Sequence, residues 1–493
     1  MMAIDDKRIF KKNELSCDNS GDFVVYWTQI HHRLQYNFAL QYAVELANSL
    51  DKPLLIYEEL KCDYPWASDR IHTFYLEGMA EHADLAEEKS INWLPVIEKK
   101  PGDSRAIWER LFGHASALVT DDYPVYFIRD RNEMLGDELD IPVFTVDANG
   151  IIPLGMTEKA PYNAYFFRKI MQKNFIECYT NPPAQEPLDY LGNTGPIDLY
   201  KYAIKAKKKS FQWLKNIPDF IETLDIRHDV GAISLKGMRE AAIDKLYNFI
   251  EKGVSDYDEK RNDPDANAAS GLSPWLHFGK ISEYEIVKIM LEHQPKGWDL
   301  DNITFNKGST GGFFNGDANV DAFLDEVITW REVGFHYAHH EPNYDSFETL
   351  PDWARETLEK HAKDEREYIY SFEELEQSET HDELWNAAQT QLRQEGVMQN
   401  YLRMLWGKKV MQWTPDPQTA LDYLIELNNL YAIDGRDPNS YSGIFWCFGR
   451  FDRAWQERPI FGKTRYMTSN SARKKLKLKK YLEKYGNKEA GEM

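Results

Sequence analysis

The apolar pattern of this chain changes period once, and that change restricts it to a two-part fold. From residue 20 to about 150, short β-branched and aromatic runs alternate with stretches whose apolar residues recur at helical spacing. Phe23-Val-Val-Tyr-Trp27 reads as a strand, Asn37 to Leu50 as a helix and Leu54 to Tyr57 as the next strand. Helices are expected near His72 to Lys89, Ser104 to Phe112 and Tyr126 to Leu135, with strands at Trp93 to Ile97, Ala117 to Thr120 and Pro142 to Asp147. Strands separated by helices build a parallel sheet covered on both faces, so residues 20–150 predict a doubly wound α/β domain. The first turn carries no glycine-rich dinucleotide fingerprint, which argues against a nicotinamide site. The first twenty residues read as a polar lead.

Residues 151–204 turn to prolines, asparagines and isolated aromatics, a composition that predicts an interdomain linker. Beyond it strand signals fade. Amphipathic stretches at Lys236 to Gly253, Glu283 to Gln294, Val320 to His340, Trp353 to His361, Asp382 to Glu395, Met398 to Trp413 and Pro417 to Leu427 predict an all-helical domain over residues 205–482. The expected fold class is therefore α/β plus all-α.

A formal charge of -21 excludes a protein that coats nucleic acid through a uniformly basic surface. Local basic faces remain open to it, and Lys463, Arg465, Arg473, Lys474, Lys475, Lys477, Lys479 and Lys480 supply one candidate. Four scattered cysteines without a C-x-x-C pair fit a reducing compartment. With no apolar run of about eighteen residues, the sequence predicts a soluble, cytoplasmic protein with no membrane partner. No obligate protein partner is implied.

Candidate chemistry concentrates between Trp385 and Trp446. Trp406 and Trp413 are seven residues apart and share a helix face, with Arg403 one turn earlier. Glu326 and Trp330, four apart, also point to one side, where an acid beside an indole could recognise a flat heterocycle. Ser270 to Gly279 is a hydroxyl-rich turn with Pro274 at a helix start, suited to an anion or to an ordinary helix cap. His336, His339 and His340 lack a convincing carboxylate partner, so no metal is expected. Gly308 to Gly316 lacks the Gly-Lys-Ser/Thr ending of a phosphate loop and reads as a flexible loop.

The ordered set of hydroxyl turn, Glu-Trp helix, Arg-Met pair, Asn-Asn pair and Asp-Gly turn resembles the photolyase and cryptochrome family, within it the class II cyclobutane-pyrimidine-dimer photolyases. The likeness runs from Val24-Val-Tyr-Trp27 to Tyr466-Met467 and is strongest in Leu272-Ser-Pro-Trp-Leu-His-Phe-Gly279, Leu384-Trp-Asn-Ala-Ala-Gln389, Arg403-Met404, Trp406-Gly-Lys-Lys409, Asp434-Gly-Arg-Asp-Pro-Asn439 and Glu457-Arg-Pro-Ile-Phe-Gly-Lys463. It implies an N-terminal antenna domain, a C-terminal helical domain holding FAD, and a second antenna chromophore of folate or deazaflavin type. Tyr257, Ser270, Leu272, Ser273, Arg403, Asn428, Asp434 and Gly435 would then contact FAD, with Arg403 and Asp434 as an ion pair. Trp406, Trp385 and Trp413 would carry electrons, Trp413 from the surface. Glu326, Trp330, Asn400 and Trp446 would meet the dimer, and Arg261, Arg331, Lys463 and Arg465 the UV-damaged DNA.

The implied reaction is a light-driven electron loan from reduced FAD that opens the cyclobutane ring, with no net redox change. A cryptochrome-like photoreceptor using the same FAD and tryptophans is the alternative. The sequence departs from the family's pattern at Gly271, where an Asn is usual, at Gln399-Asn400 in place of His-Gly, at Phe335-His336 in place of Asp-Asn, and at Gln29 to Arg33 in the first domain.

Overall fold

The computed structural model describes residues 3–17 and 20–486, arranged in two compact units. The first unit comprises Met1–Glu158, Asn174–Asp244 and Leu272–Ile289; the second comprises Lys159–Lys173, Lys245–Gly271 and Met290–Met493.

The first unit is built on a six-stranded sheet of β1 (Ile9–Lys11), β2 (Phe23–Thr28), β3 (Leu54–Leu60), β4 (Trp93–Ile97), β5 (Ala115–Asp121) and β6 (Val143–Val146), in the order β1-β6-β5-β2-β3-β4. All neighbours are parallel except β1 and β6. Every residue of β2, β3 and β5 is buried, as a sheet covered on both faces requires. Phe23, Val25 and Trp27 alternate onto one face, where Tyr57, Trp108 and Phe112 complete the core.

The expected parallel order is present, with one addition. The lead read as merely polar contributes β1, whose three residues are too few to show a period. Arg8 anchors it from below the surface, donating to the carbonyl oxygens of Ile151 at 2.7 Å and Asp147 at 3.2 Å.

Strand order reverses at β2, so the crevice for a ligand would open beyond the carboxyl ends of β2 and β5. There Asp121 accepts from the backbone N–H groups of Gln29, Ile30 and His31 at 2.8, 2.9 and 2.9 Å and from the Tyr26 hydroxyl at 2.7 Å. The chain's own carboxylate fills a turn that could otherwise cradle an anion.

The first unit also takes segments that the sequence assigns to the helical part. The helix Ala206–Leu214 sets Phe211 against Trp93 of β4 with ring centroids 5.6 Å apart. An amphipathic period shows that a helix has an apolar stripe; it does not show which unit covers that stripe.

The second unit is helical. Side-chain caps start its central helices: Asp382 before Glu383–Glu395, Gln399 before Asn400–Trp413, Asp416 before Pro417–Tyr431 and Asp437 before Pro438–Cys447. Gly396, in the left-handed region at φ 70°, closes the first of these. The helical run Ala318–Leu324 passes through a wider π turn, Asp325–Trp330, before continuing as Arg331–His340. Among the described residues, no helix is long and apolar enough to cross a membrane.

Candidate active site

The Asp-Gly turn joins the helices Pro417–Tyr431 and Pro438–Cys447 and turns an acid toward the helix Asn400–Trp413. Arg403 reaches Asp434 with an N–O distance of 3.1 Å, and the carboxylate side chain is only 11% exposed. Asn428 is buried and donates to Ser440 Oγ at 2.7 Å and Asn429 Oδ1 at 3.2 Å. Asn429 in turn accepts from the Arg436 N–H at 3.0 Å and donates to the Tyr441 hydroxyl at 3.0 Å. Gly435 is required by space, since a Cβ there would lie 2.8 Å from the Asn428 carbonyl oxygen. The close approach is to the preceding helix.

Tyr257 is buried, edge-on to Phe249 and Phe323 at 5.6 and 5.4 Å. Ser270 is half-buried in the second unit, whereas Leu272, buried, and Ser273, exposed, belong to the first. The chain crosses between units directly after Gly271, which adopts φ +65°.

The tryptophans expected to carry electrons lie close together. Trp385 donates its indole N–H to the Trp406 carbonyl oxygen at 3.1 Å, and Trp406 donates to Gln389 at 2.9 Å. Trp385 and Trp413 meet edge to face with centroids 5.7 Å apart. Trp413 is 2% exposed, so it does not form the surface end expected of it. It is covered by Tyr370 at 5.5 Å and His381 at 5.2 Å, and His381 stacks at 3.8 Å on Tyr368, itself 39% exposed.

Glu326 and Trp330 both lie in the π turn, and both remain partly open to solvent. Burial pushes the Glu326 acid up to about 7, Asp325 adds to this, and Arg261 and Arg168 oppose it. Arg261 stands 3.7 Å from Glu326 and also pairs with Asp258. Gln399, whose oxygen caps the next helix, donates to the Arg261 carbonyl oxygen at 3.0 Å. Arg168 grips Asp325 through two hydrogen bonds of 2.7 and 2.9 Å.

Trp446 is half-buried with the Arg465 guanidinium 5.1 Å from its centroid. Arg465 also pairs with Asp452 at 2.8 Å and lies over Trp455 at 4.3 Å. Helices carrying Trp330 and Trp446 are in direct contact, because Gly334 leaves only 2.8 Å between a would-be Cβ and the Pro438 carbonyl oxygen. Lys463 and Asn400 are exposed. Arg331 is not a solvent-facing DNA contact: it is buried, with its guanidinium 4.2 Å from the Phe335 centroid. Among the described residues, no group of three or more His, Cys, Asp or Glu side chains is placed to hold a metal ion.

No family model matches the chain. It is 32% identical over 479 residues to the deoxyribodipyrimidine photo-lyase of Methanothermobacter thermautotrophicus, covering 97% of this chain and 98% of that one. The chain belongs to the photolyase family. The photo-lyase of Oryza sativa subsp. japonica is 33% identical, covering 94% of this chain and 87% of its own, and that of Potorous tridactylus 31%, covering 95% and 82%. Two solved structures share the fold, each with a TM-score of 0.59: a bacterial class III photolyase from Agrobacterium tumefaciens, 19% identical with 89% and 82% of the chains covered, and an archaeal photolyase from Sulfolobus tokodaii with two FAD molecules, 16% identical with 93% and 87% covered.

Among photolyases the departure at Gly271 has a backbone reason. Asn and Gly are the residues that tolerate the left-handed region this position adopts, so one can stand for the other. Two contributors to the site, Arg436 and Trp455, were not singled out from the sequence, and a third, Gln399, was named only as a departure from the family's pattern. Arg436 is buried and donates to the Asn429, Ala432 and Ile433 carbonyl oxygens, closing the helix that bears Asn428. Gln399 ties the start of the helix Asn400–Trp413 to Arg261, and Trp455 packs on Arg465. A buried Arg in an Asp-Gly turn gives no periodic signal, and only the crowding of Trp and Arg between 446 and 465 hints at the last.

Proposed function

We propose that this photolyase uses light to split cyclobutane pyrimidine dimers in UV-damaged DNA, with FAD as its redox cofactor. The observation that carries the reading is the π turn: it sets an acid titrating at about 7 one helical turn from a half-open indole. A carboxyl that keeps its proton near neutrality can donate to a pyrimidine carbonyl oxygen and temper negative charge as it develops there. Trp330 and Trp446 then stack on the extruded bases, each contributing about 1–3 kcal/mol. Lesions are extruded more easily than paired bases, which adds selectivity.

The residues fit the cofactor. A guanidinium–carboxylate pair at Arg403 and Asp434, the buried Asn428 amide oxygen, the Ser270 hydroxyl and the tight turn at Gly271 are the polar groups and the backbone shape that a flavin dinucleotide needs. Bound FAD supplies light absorption and the electron exchanged with the dimer. Arg403 and Asp434 orient the ring and bias its charge, and Asn428, fixed by Ser440, presents an amide to its edge. Trp406, Trp385 and Trp413 connect the interior with the Tyr370 and His381 side chains. The antenna role falls to the first unit, with a second chromophore, and FAD binding to the second; the stretches 151–204 and 205–482, expected as linker and FAD domain, are each divided between the two units, and 151–204 carries the helix Ala164–Tyr179. Full-length relatives named for the lyase reaction favour repair over photoreceptor signalling.

Binding provides the test. FAD-loaded protein should hold an oligonucleotide with one thymine dimer at least about tenfold more tightly than its undamaged counterpart. Trp446→Ala should erase most of that preference, and equal affinity of the parent protein for both strands would rule the reading out.

A further inference from the structure

Lys408 lies between Trp406 and Trp413 on the helix Asn400–Trp413 and has no exposed surface. Its ammonium donates to the Cys447 carbonyl oxygen and, at 3.3 Å, to Thr464 Oγ1. Cys447 is the last residue of the helix Pro438–Cys447, directly after Trp446, whose ring centroid is 5.9 Å from the same ammonium. Thr464 stands between Lys463 and Arg465, and Arg465 covers that indole too. One buried charge thus joins the helix bearing Arg403, the end of the helix bearing Trp446, and the segment bearing Arg465.

Burying an ammonium is costly, and an unbranched apolar side chain of similar length would fill the space without that cost. The charge does answer an orphan carbonyl at a helix C-terminus. It also does something a hydrocarbon could not, because its second hydrogen bond fixes a separate segment against the same ring.

We propose that Lys408 is a positioning residue for lesion recognition: it locks Trp446 at the end of its helix and holds the Arg465 segment beside it, so that the indole offers a fixed face to the extruded dimer. This rests on Trp446 being the stacking partner of the lesion. The charged and titratable groups facing the ammonium are Cys447, Asp452 and Arg465. Burial pushes Lys408 down to about 8, with Cys447 and Asp452 opposing burial and Arg465 reinforcing it.

The test titrates FAD-loaded Lys408→Met, Thr464→Val and Trp446→Ala proteins with dimer-containing and undamaged oligonucleotides. Lys408→Met should weaken dimer binding about tenfold and undamaged-strand binding less than about twofold, with ring opening per bound dimer at saturation held within about twofold. Its deficit relative to the parent should shrink as pH rises through about 8, where the parent loses the charge as well. Should Lys408→Met fail to retain FAD, Thr464→Val carries the test, with an expected loss of about threefold for the dimer alone. Parent-like dimer binding by the folded variants, or equal losses on both strands, would overturn the proposal. If Trp446→Ala also binds the dimer as the parent does, the reading of Trp446 is what fails.

Discussion

Glu326 shows how a single side chain acquires its chemistry from its surroundings. Its acid is raised to about 7, so the folded state binds a proton that the unfolded chain, near 4.5, has released. Stability is therefore fully present below about 4.5 and falls as pH rises to about 7. Glu326→Gln should remove that slope. Above pH 7 the variant should be more stable than its parent by about 1–2 kcal/mol, less than the full linkage value because the side chain is partly open to solvent. Denaturant unfolding at several pH values measures this; identical pH profiles for the two proteins would show that the acid is not raised. At Trp406 the expectation is kinetic: Trp406→Phe should abolish photoreduction of oxidised FAD, followed by absorbance under blue light. Tyr370→Phe should leave the first electron step and shorten the life of the separated charge, because Trp413 is buried against Tyr370.

At the scale of elements, the site depends on close approaches between helices more than on any one contact. Gly435 packs onto the Asn428 carbonyl oxygen, and Gly334 onto Pro438 and Ser442. Gly435→Val should displace the turn that carries Asp434 and lower FAD content at least about fivefold, in line with the about 1–3 kcal/mol that overpacking costs. Flavin absorbance per protein reads it, and full occupancy would show that the turn has room. These elements were unevenly legible. The central strands and the long helices announced themselves by period, and Glu326 and Trp330 were paired from their spacing. The π turn that holds them was not, because a widened turn leaves an i, i+4 pair on nearly the same side and so changes nothing in the pattern. Arg331 was misassigned for a related reason: spacing gives a face, and burial decides whether that face meets DNA or Phe335.

For the whole molecule, the decisive contrast is between a charge of -21 and the need to bind a polyanion. Binding must use a small basic face, and Arg261 and Arg465 are already partly committed to Glu326, Asp258 and Asp452. DNA affinity should therefore fall with salt only as steeply as a few released counterions allow, a slope on the order of -2 to -4 in log–log form. The division into an α/β and a helical part was legible in the change of period. The assignment of Ala206–Leu214 to the sheet was not, since Phe211 could have covered either core. The roles of the tryptophans came from resemblance, and geometry altered one of them by burying Trp413. As proposed, electron supply and lesion contact fall to different indoles, and one measurement separates them: chemically reduced, FAD-loaded Trp406→Phe protein illuminated with dimer-containing DNA, with restored pyrimidines counted. Restoration at close to the parent rate is expected, and none above the dark control would contradict both the repair function and the division of labour.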